Sequence, residues 1–194
     1  MLFFNTTTDK RYNERTLALY GFTAEDADVH PLEVNYPEVD GRFETYRDAQ
    51  EVDVNEGVFS VRFEVVNLPH DRVLENIAPR YEQSVFVLRN APITVGANEI
   101  QSPEGSVQTL TAWRSALENN IAFDPSTSPF IGVEPTVTVE LIDEILTAIA
   151  DHAAACDTLT EEVNTFLTNS TVDVLKVTDP DEWVAAQYVT ITSA

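Results

Sequence analysis

From Thr138 to about Leu167 the chain carries an apolar stripe nearly thirty residues long, and this stripe constrains the fold more than any other feature. Ile142, Ile145, Leu146, Ile149, Ala153, Cys156, Leu159, Val163 and Phe166 recur every three or four residues, the spacing that gathers side chains on one side of an α-helix. Asp143, Glu144, Asp151, Asp157, Glu161 and Glu162 mostly fall on the opposite side. Thr138 stands where an N-cap hydroxyl accepts a backbone N–H, and Glu140 puts negative charge in the first turn. Roughly 30 residues at ~1.5 Å each give a helix about 45 Å long. That exceeds what a compact domain of this size needs. Either part of the stripe faces another chain, or the helix breaks near Asp157-Thr158 into two that fold back on each other.

The residues before it form one module with it, from about Val95 to Leu167. Ile93 and Val95 alternate with polar positions, and Gly96-Ala97-Asn98 supplies a tight reversal before Glu99 and Ile100, so a small hairpin is expected. Ser102 is placed as an N-cap, Pro103 suits the first helical position, and Glu104 complements the positive helix end. Val107, Leu110, Trp113 and Leu117 then predict an amphipathic helix over 103–119. Pro125, Pro129 and Pro135 make the stretch from Phe123 to Pro135 a loop, after which Thr136-Val137 forms a short strand.

At these residues the chain resembles a domain of unknown function found in bacteriophage tail and tail-fibre-associated proteins. The likeness is carried by ANEIQSPEGSVQTLTAW, a proline-rich gap, and TVTVELIDEILTAIADHAAACDTL, with Gln101, Ser102, Ser106, Leu110, Thr111, Val137, Thr138, Ile149, His152 and Cys156 at the matching positions. LYGFTAEDADVHPLEVNYPEVDGRFE and GVFSVRFEVVNLPHDRV are similar to what such proteins carry upstream. The domain itself spans about residues 84–168. The family has no established activity, so the resemblance implies a setting, the phage tail or its assembly, and no mechanism.

The N-terminal half reads as β-rich with short helices. Tyr12 to Tyr20 has helical spacing and stops at Gly21, and Ala24 to Asp28 is an acidic turn. Pro31 and Pro37 bracket Leu32 to Tyr36, which suits an edge strand. Val58 to Val66 alternates Phe59, Val61, Phe63 and Val65 with polar residues, as a strand wet on one face does, and Asp53 to Gly57 turns it back on a partner at 43–52. Pro69 to Ile77 reads as a short helix, Pro79 as the start of a linker, and Ser84 to Arg89 as a strand. Tyr188 to Thr192 reads as a terminal strand. The expected architecture is α+β: a β-rich domain over 1–82, a hairpin-plus-helix domain over 83–170, and an extension over 171–194, with the boundary near 78–83.

Charge narrows the partners. The net charge is −22, and after Arg114 only Lys176 is basic against 14 acidic residues. Such a field repels phosphate backbones and anionic lipid, which argues against nucleic-acid and membrane-surface roles. It serves either as a solvated, non-aggregating surface or as a polyanionic face for a basic partner. No apolar run reaches the ~18 residues of a membrane span, and MLFFNTTTDKR is too short an apolar start for a signal peptide. A soluble chain made in a cytoplasm is expected.

No constellation for chemistry stands out. His152 and Cys156, four apart on a helix, share a face as two zinc ligands would, but His30 and His70 lie in unrelated turns and there is one cysteine in all. The same pair lacks an identifiable orienting residue for a Cys-His nucleophile. Asp53, Asn55 and Gly57 fail the calcium-loop pattern and read as a β-turn. Phe59, Phe63, Tyr81, Phe86 and Trp113 are assigned to core, and Trp183 and Tyr188 to a partner-contact surface. The expectation is therefore a chain that is not an enzyme, with no catalytic, cofactor or metal site. It would be a structural component of a phage tail, in the fibre or baseplate, docking on other tail proteins within the virion as a homo-oligomer. The alternatives are a tail-fibre assembly chaperone and an enzyme acting on host-surface glycan.

Overall fold

A computed structural model describes residues 1–123, 128–132 and 135–193. The fold is α+β and divides into two compact units, Met1–Val73 and Leu74–Ala194.

The first unit is a five-stranded sheet, ordered β2-β1-β3-β5-β4. Strands β1 (Leu2–Asn5) and β2 (Lys10–Asn13) form a hairpin, and β3 (Val29–Glu33) pairs antiparallel with β1 and parallel with β5 (Val58–Asn67). Strand β4 (Glu44–Asn55) pairs antiparallel with β5 through a two-residue turn, Glu56-Gly57, both at positive φ (50° and 85°) as a type I′ hairpin requires. Glu56-Gly57 is thus the tip of the turn expected over 53–57. Of the segment read as a helix from Tyr12, only α1 (Glu14–Leu19) is helical. Asn13 ends β2 and caps α1 through a capping box with Thr16. Leu17 packs with Phe3, Tyr12 and Val29 in a small core.

The strand expected at 32–36 proves to be β3, and it is central rather than an edge. Pairing with β5 begins only at Leu32, so the donor missing from Pro31 falls outside that ladder.

Arg11, on one outer strand, reaches Asp48 on the other at 2.6 Å and also donates to the Glu51 carbonyl. The sheet must curl to bring these edges together. Asp48 also accepts from the Gln50 N–H at 2.7 Å, within the irregular register between Asp48 and Val52 where Gln50 has φ 62°. One carboxylate therefore ties the bulge to the clasp. The hydrogen bond from Arg11 holds the Asp48 carboxyl below its usual range, with the Gln50 amide adding to it. A carboxylate depressed in the fold contributes stability that is complete above its unfolded value and is lost as pH falls through the folded one. Arg11→Ala is expected to lower stability by about 1 kcal/mol near neutral pH, a figure discounted for solvent screening. The difference from wild type should shrink in acid. Urea unfolding of both proteins near neutral pH and in acid checks this, and an equal difference at both would sink it.

Helix α2 (His70–Arg89) replaces the expected short helix, linker and Ser84–Arg89 strand, so the boundary placed near 78–83 falls inside a helix. Val73, Ile77, Tyr81 and Val85 are all buried at strict i, i+4 spacing, while Pro79 lies on the exposed side. Packing along that stripe overrides the local preference of Val85-Phe86-Val87 for strand. Phe86, expected in the core, is 60 % exposed for the same reason.

In the second unit, β6 (Ile93–Val95) and β7 (Asn98–Ile100) form the expected hairpin, followed by α3 (Pro103–Glu118). Ser102 is not a side-chain cap: its backbone is left-handed (φ 41°) as the chain turns out of the hairpin. Ser106 secures the corner instead, its hydroxyl donating to the Gln101 carbonyl at 2.6 Å. Thr136-Val137 forms no strand. Residues 124–127 and 133–134 of the proline-rich loop, Pro125 among them, lie outside the described residues.

Helix α4 (Val139–Asn169) is unbroken through Asp157-Thr158, with Thr138 capping Leu141 as expected. Its length does not leave the stripe for another chain. Ile142, Ile145 and Ile149 join Val95, Ile100, Leu110, Trp113 and Phe130 in one core, and His152, Cys156, Leu159, Val163 and Leu167 are buried farther along. The terminal strand is instead a helix, α6 (Pro180–Thr192), preceded by the short α5 (Val172–Val177). Asp179 caps it, Pro180 opens it, and Asp181 and Glu182 fill its first turn, a strong start that outweighs the β-branched Val189 to Thr192. Leu175 and Val184 are buried, so 171–194 belongs to this unit rather than extending from it.

Candidate functional site

The suspicious pair, His152 and Cys156, sits where α2, α4 and α6 meet. His152 is 7 % exposed, and both its ring nitrogens are taken. The Arg89 carbonyl, 3.2 Å from Nε2, can only accept, so Nε2 carries the proton; in the neutral ring Nδ1 then accepts the Tyr188 hydroxyl at 2.5 Å. The Cys156 Sγ lies 3.8 Å from that same Nε2, which has no lone pair to offer it. Burial pushes the thiol up, and the nearby Arg89 guanidinium, which pulls it down, is the weaker influence. This is the opposite of an activated nucleophile. Among the described residues no group of three or more His, Cys, Asp or Glu side chains is placed to hold a metal ion.

The native thiol is therefore expected to resist alkylation near neutral pH and to react at the ordinary rate only once urea unfolds the second unit. Because burial raises Cys156 and Tyr188 alike, the fold is undisturbed below their ordinary values and loses stability as pH rises through and above them. Rapid modification of folded protein by iodoacetamide would overturn this assignment.

Arg89 fastens the junction on its other side, pairing with Asp157 on α4 and lying 3.7 Å from Glu104 on α3. Trp183 stacks on Phe166 with centroids 4.4 Å apart and meets Tyr81 edge-on at 6.0 Å. Of the two residues assigned to a contact surface, both half-buried, Trp183 is thus packed against the helices. Tyr188 lines an open depression while its hydroxyl is held by His152.

That depression is part of a continuous trough. It begins between α2 and α6 as an apolar groove of about 620 Å³, walled by Val87, Leu88, Val184 and Ala185. Through Leu88 and Ala91 it passes Ile93, Tyr188 and Ile191, and through Thr94, Ala148 and Asp151 it reaches Asp143 and Glu144 on α4. Of the residues singled out in the sequence for a partner contact only Tyr188 lies on this face, because two of its walls are α2 and α6, elements whose local preferences favour strand in part. The available signal was the poor segregation of polar from apolar positions on α6, where Ala185, Ala186 and Val189 are exposed beside Thr190 and Thr192. In the first unit, Tyr36, Tyr46 and Phe63 form a smaller aromatic cluster with centroids 5.0–5.4 Å apart.

Comparison with models of protein families, with curated proteins and with solved structures finds no match to this chain. Among the described residues no helix is long and apolar enough to cross a membrane.

Proposed function

We propose that this chain is a non-enzymatic structural component of a bacteriophage tail, of the fibre or baseplate, acting by protein–protein docking. One observation carries the docking half of this reading. At the α2–α4–α6 junction both ring nitrogens of His152 are taken, by the Tyr188 hydroxyl and the Arg89 carbonyl, while beside them a trough with an apolar end stands open. Such a surface suits binding better than bond-breaking. The phage setting rests on the resemblance in sequence. Several of its matching residues serve the framework: Ser106 holds the hairpin–helix corner, Leu110 is core, Thr138 caps α4, and Ile149, His152 and Cys156 are buried along it.

Tail parts follow closed symmetry, so several copies per particle are expected, made in the host cytoplasm and carried in the virion. Mass spectrometry of purified particles tests this. The chain should be present in fixed ratio to the other tail proteins, and its absence would sink the proposal. Absence together with a higher soluble yield of the fibre on co-expression would assign it instead to assembly, as a chaperone.

A further inference from the structure

The trough is graded in charge, and the gradient specifies what fits it. We propose that it docks a segment of another protein with an apolar half and a basic half, the apolar half between α2 and α6 and the basic half over Glu144 and Asp151. This rests on the docking reading above and adds the chemistry of the partner.

At the α2–α6 end, exposed Val87 (58 %) and Ala185 line the walls, with one basic and one acidic side chain, Arg80 and Asp181, also in the lining. On α6 the apolar side chains Ala185, Ala186 and Val189 are exposed among polar ones, and the described residues leave them uncovered. At the other end the charge has one sign. Asp143 is matched by Arg114 at 2.6 Å, but Glu144 and Asp151, exposed two turns apart on α4, make no ion pair among the described residues. A groove walled by helices, with carboxylates at one end, receives an amphipathic segment in one direction only.

A second copy is the poorer occupant. From residue 74 onward the basic side chains are Arg80, Arg89, Arg114 and Lys176, and Arg89 and Arg114 already hold carboxylates. Another molecule of net charge −22 would bring carboxylate against carboxylate.

The full chain is titrated by calorimetry with a synthetic peptide, half leucine and alanine and half lysine-rich, and with its counterpart in which glutamate replaces each lysine. The lysine peptide should bind, weakening about tenfold as salt shortens the screening length, and the glutamate peptide should not. Glu144→Gln with Asp151→Asn should weaken binding about tenfold, and Val87→Glu at least as much. Glu161→Gln with Glu162→Gln, on α4 one turn beyond Thr158, the last residue of that helix to line the trough, should weaken it far less. Val87 is exposed, so the variant should keep its helical circular dichroism; Ala185→Glu, also exposed, serves if it does not. Equal binding of both peptides, equal loss in the Glu161/Glu162 pair, or no effect at Val87 overturns the proposal. So does a dimer in sedimentation that Val87→Glu dissolves. A chain found in particles that ignores the peptide loses this surface but keeps the tail assignment; one that binds as described but is absent from particles does the reverse.

Discussion

Trp113→Ala is expected to lower the stability of the second unit by about 3–5 kcal/mol, the range for removing a large buried aromatic. Trp113 is 3 % exposed and stacks on Phe123 at 4.6 Å, with Phe130 at 6.4 Å. Phe123 opens the proline-rich loop and Phe130 lies within it, so the indole holds the loop at two points as well as filling the core between α3 and α4. Truncation leaves a cavity lined by Leu110, Ile142 and Ile145, which are themselves held in regular helices and cannot collapse into it. Val107→Ala, on the same helix but partly exposed, should change stability by about 0.5 kcal/mol or less. Urea unfolding followed by far-ultraviolet circular dichroism gives both numbers. A loss at Trp113 no greater than at Val107 would show that the core is not organised around the indole. Should the alanine variant fail to fold, Trp113→Phe should give a measurable, smaller loss.

His152→Ala should cost about 2–4 kcal/mol by a different route. The change removes a modest volume, but it strands the Tyr188 hydroxyl and the Arg89 carbonyl without their partner, and an unmet buried polar group costs about 1–3 kcal/mol. Tyr188→Phe alone should cost less, since only the Nδ1 acceptor loses its donor. The double variant decides whether the bond matters. If it does, the two losses should fall short of additivity by about 1 kcal/mol or more. Strict additivity would mean that the 2.5 Å contact contributes nothing of its own. Neither variant should alter thiol protection at Cys156 if burial, rather than the histidine, keeps it protonated.

The helical module was legible because its cues agree. In α4 the cap at Thr138, the acidic first turn and the apolar stripe point the same way, and 103–119 reads as a helix on its own spacing. The hairpins at 93–100 and at Glu56-Gly57 were equally open, since tight reversals depend on a few residues tolerant of positive φ. Where local cues disagree with packing, packing prevails. The strand-like runs Ser84–Arg89 and Tyr188–Thr192 are helical because Tyr81 and Val85 on one, and Val184 with the half-buried Trp183 on the other, reach the interior only at helical spacing. The candidate site was legible only at Tyr188 for the same reason: two of its walls are those helices.

What the sequence determined by itself is what one segment or the whole composition can specify: the α+β class, the period of α3 and α4, two turns, the capping threonine and the charge of −22. What only the tertiary structure decided is what depends on groups distant along the chain. It placed β3 at the centre of the sheet, closed that sheet through Arg11 and Asp48, gave both nitrogens of His152 partners from two other helices, and laid α6 beside α2 to form the trough. Propensity and periodicity act over a few neighbouring residues, whereas burial and hydrogen-bond satisfaction are settled only when the whole unit packs.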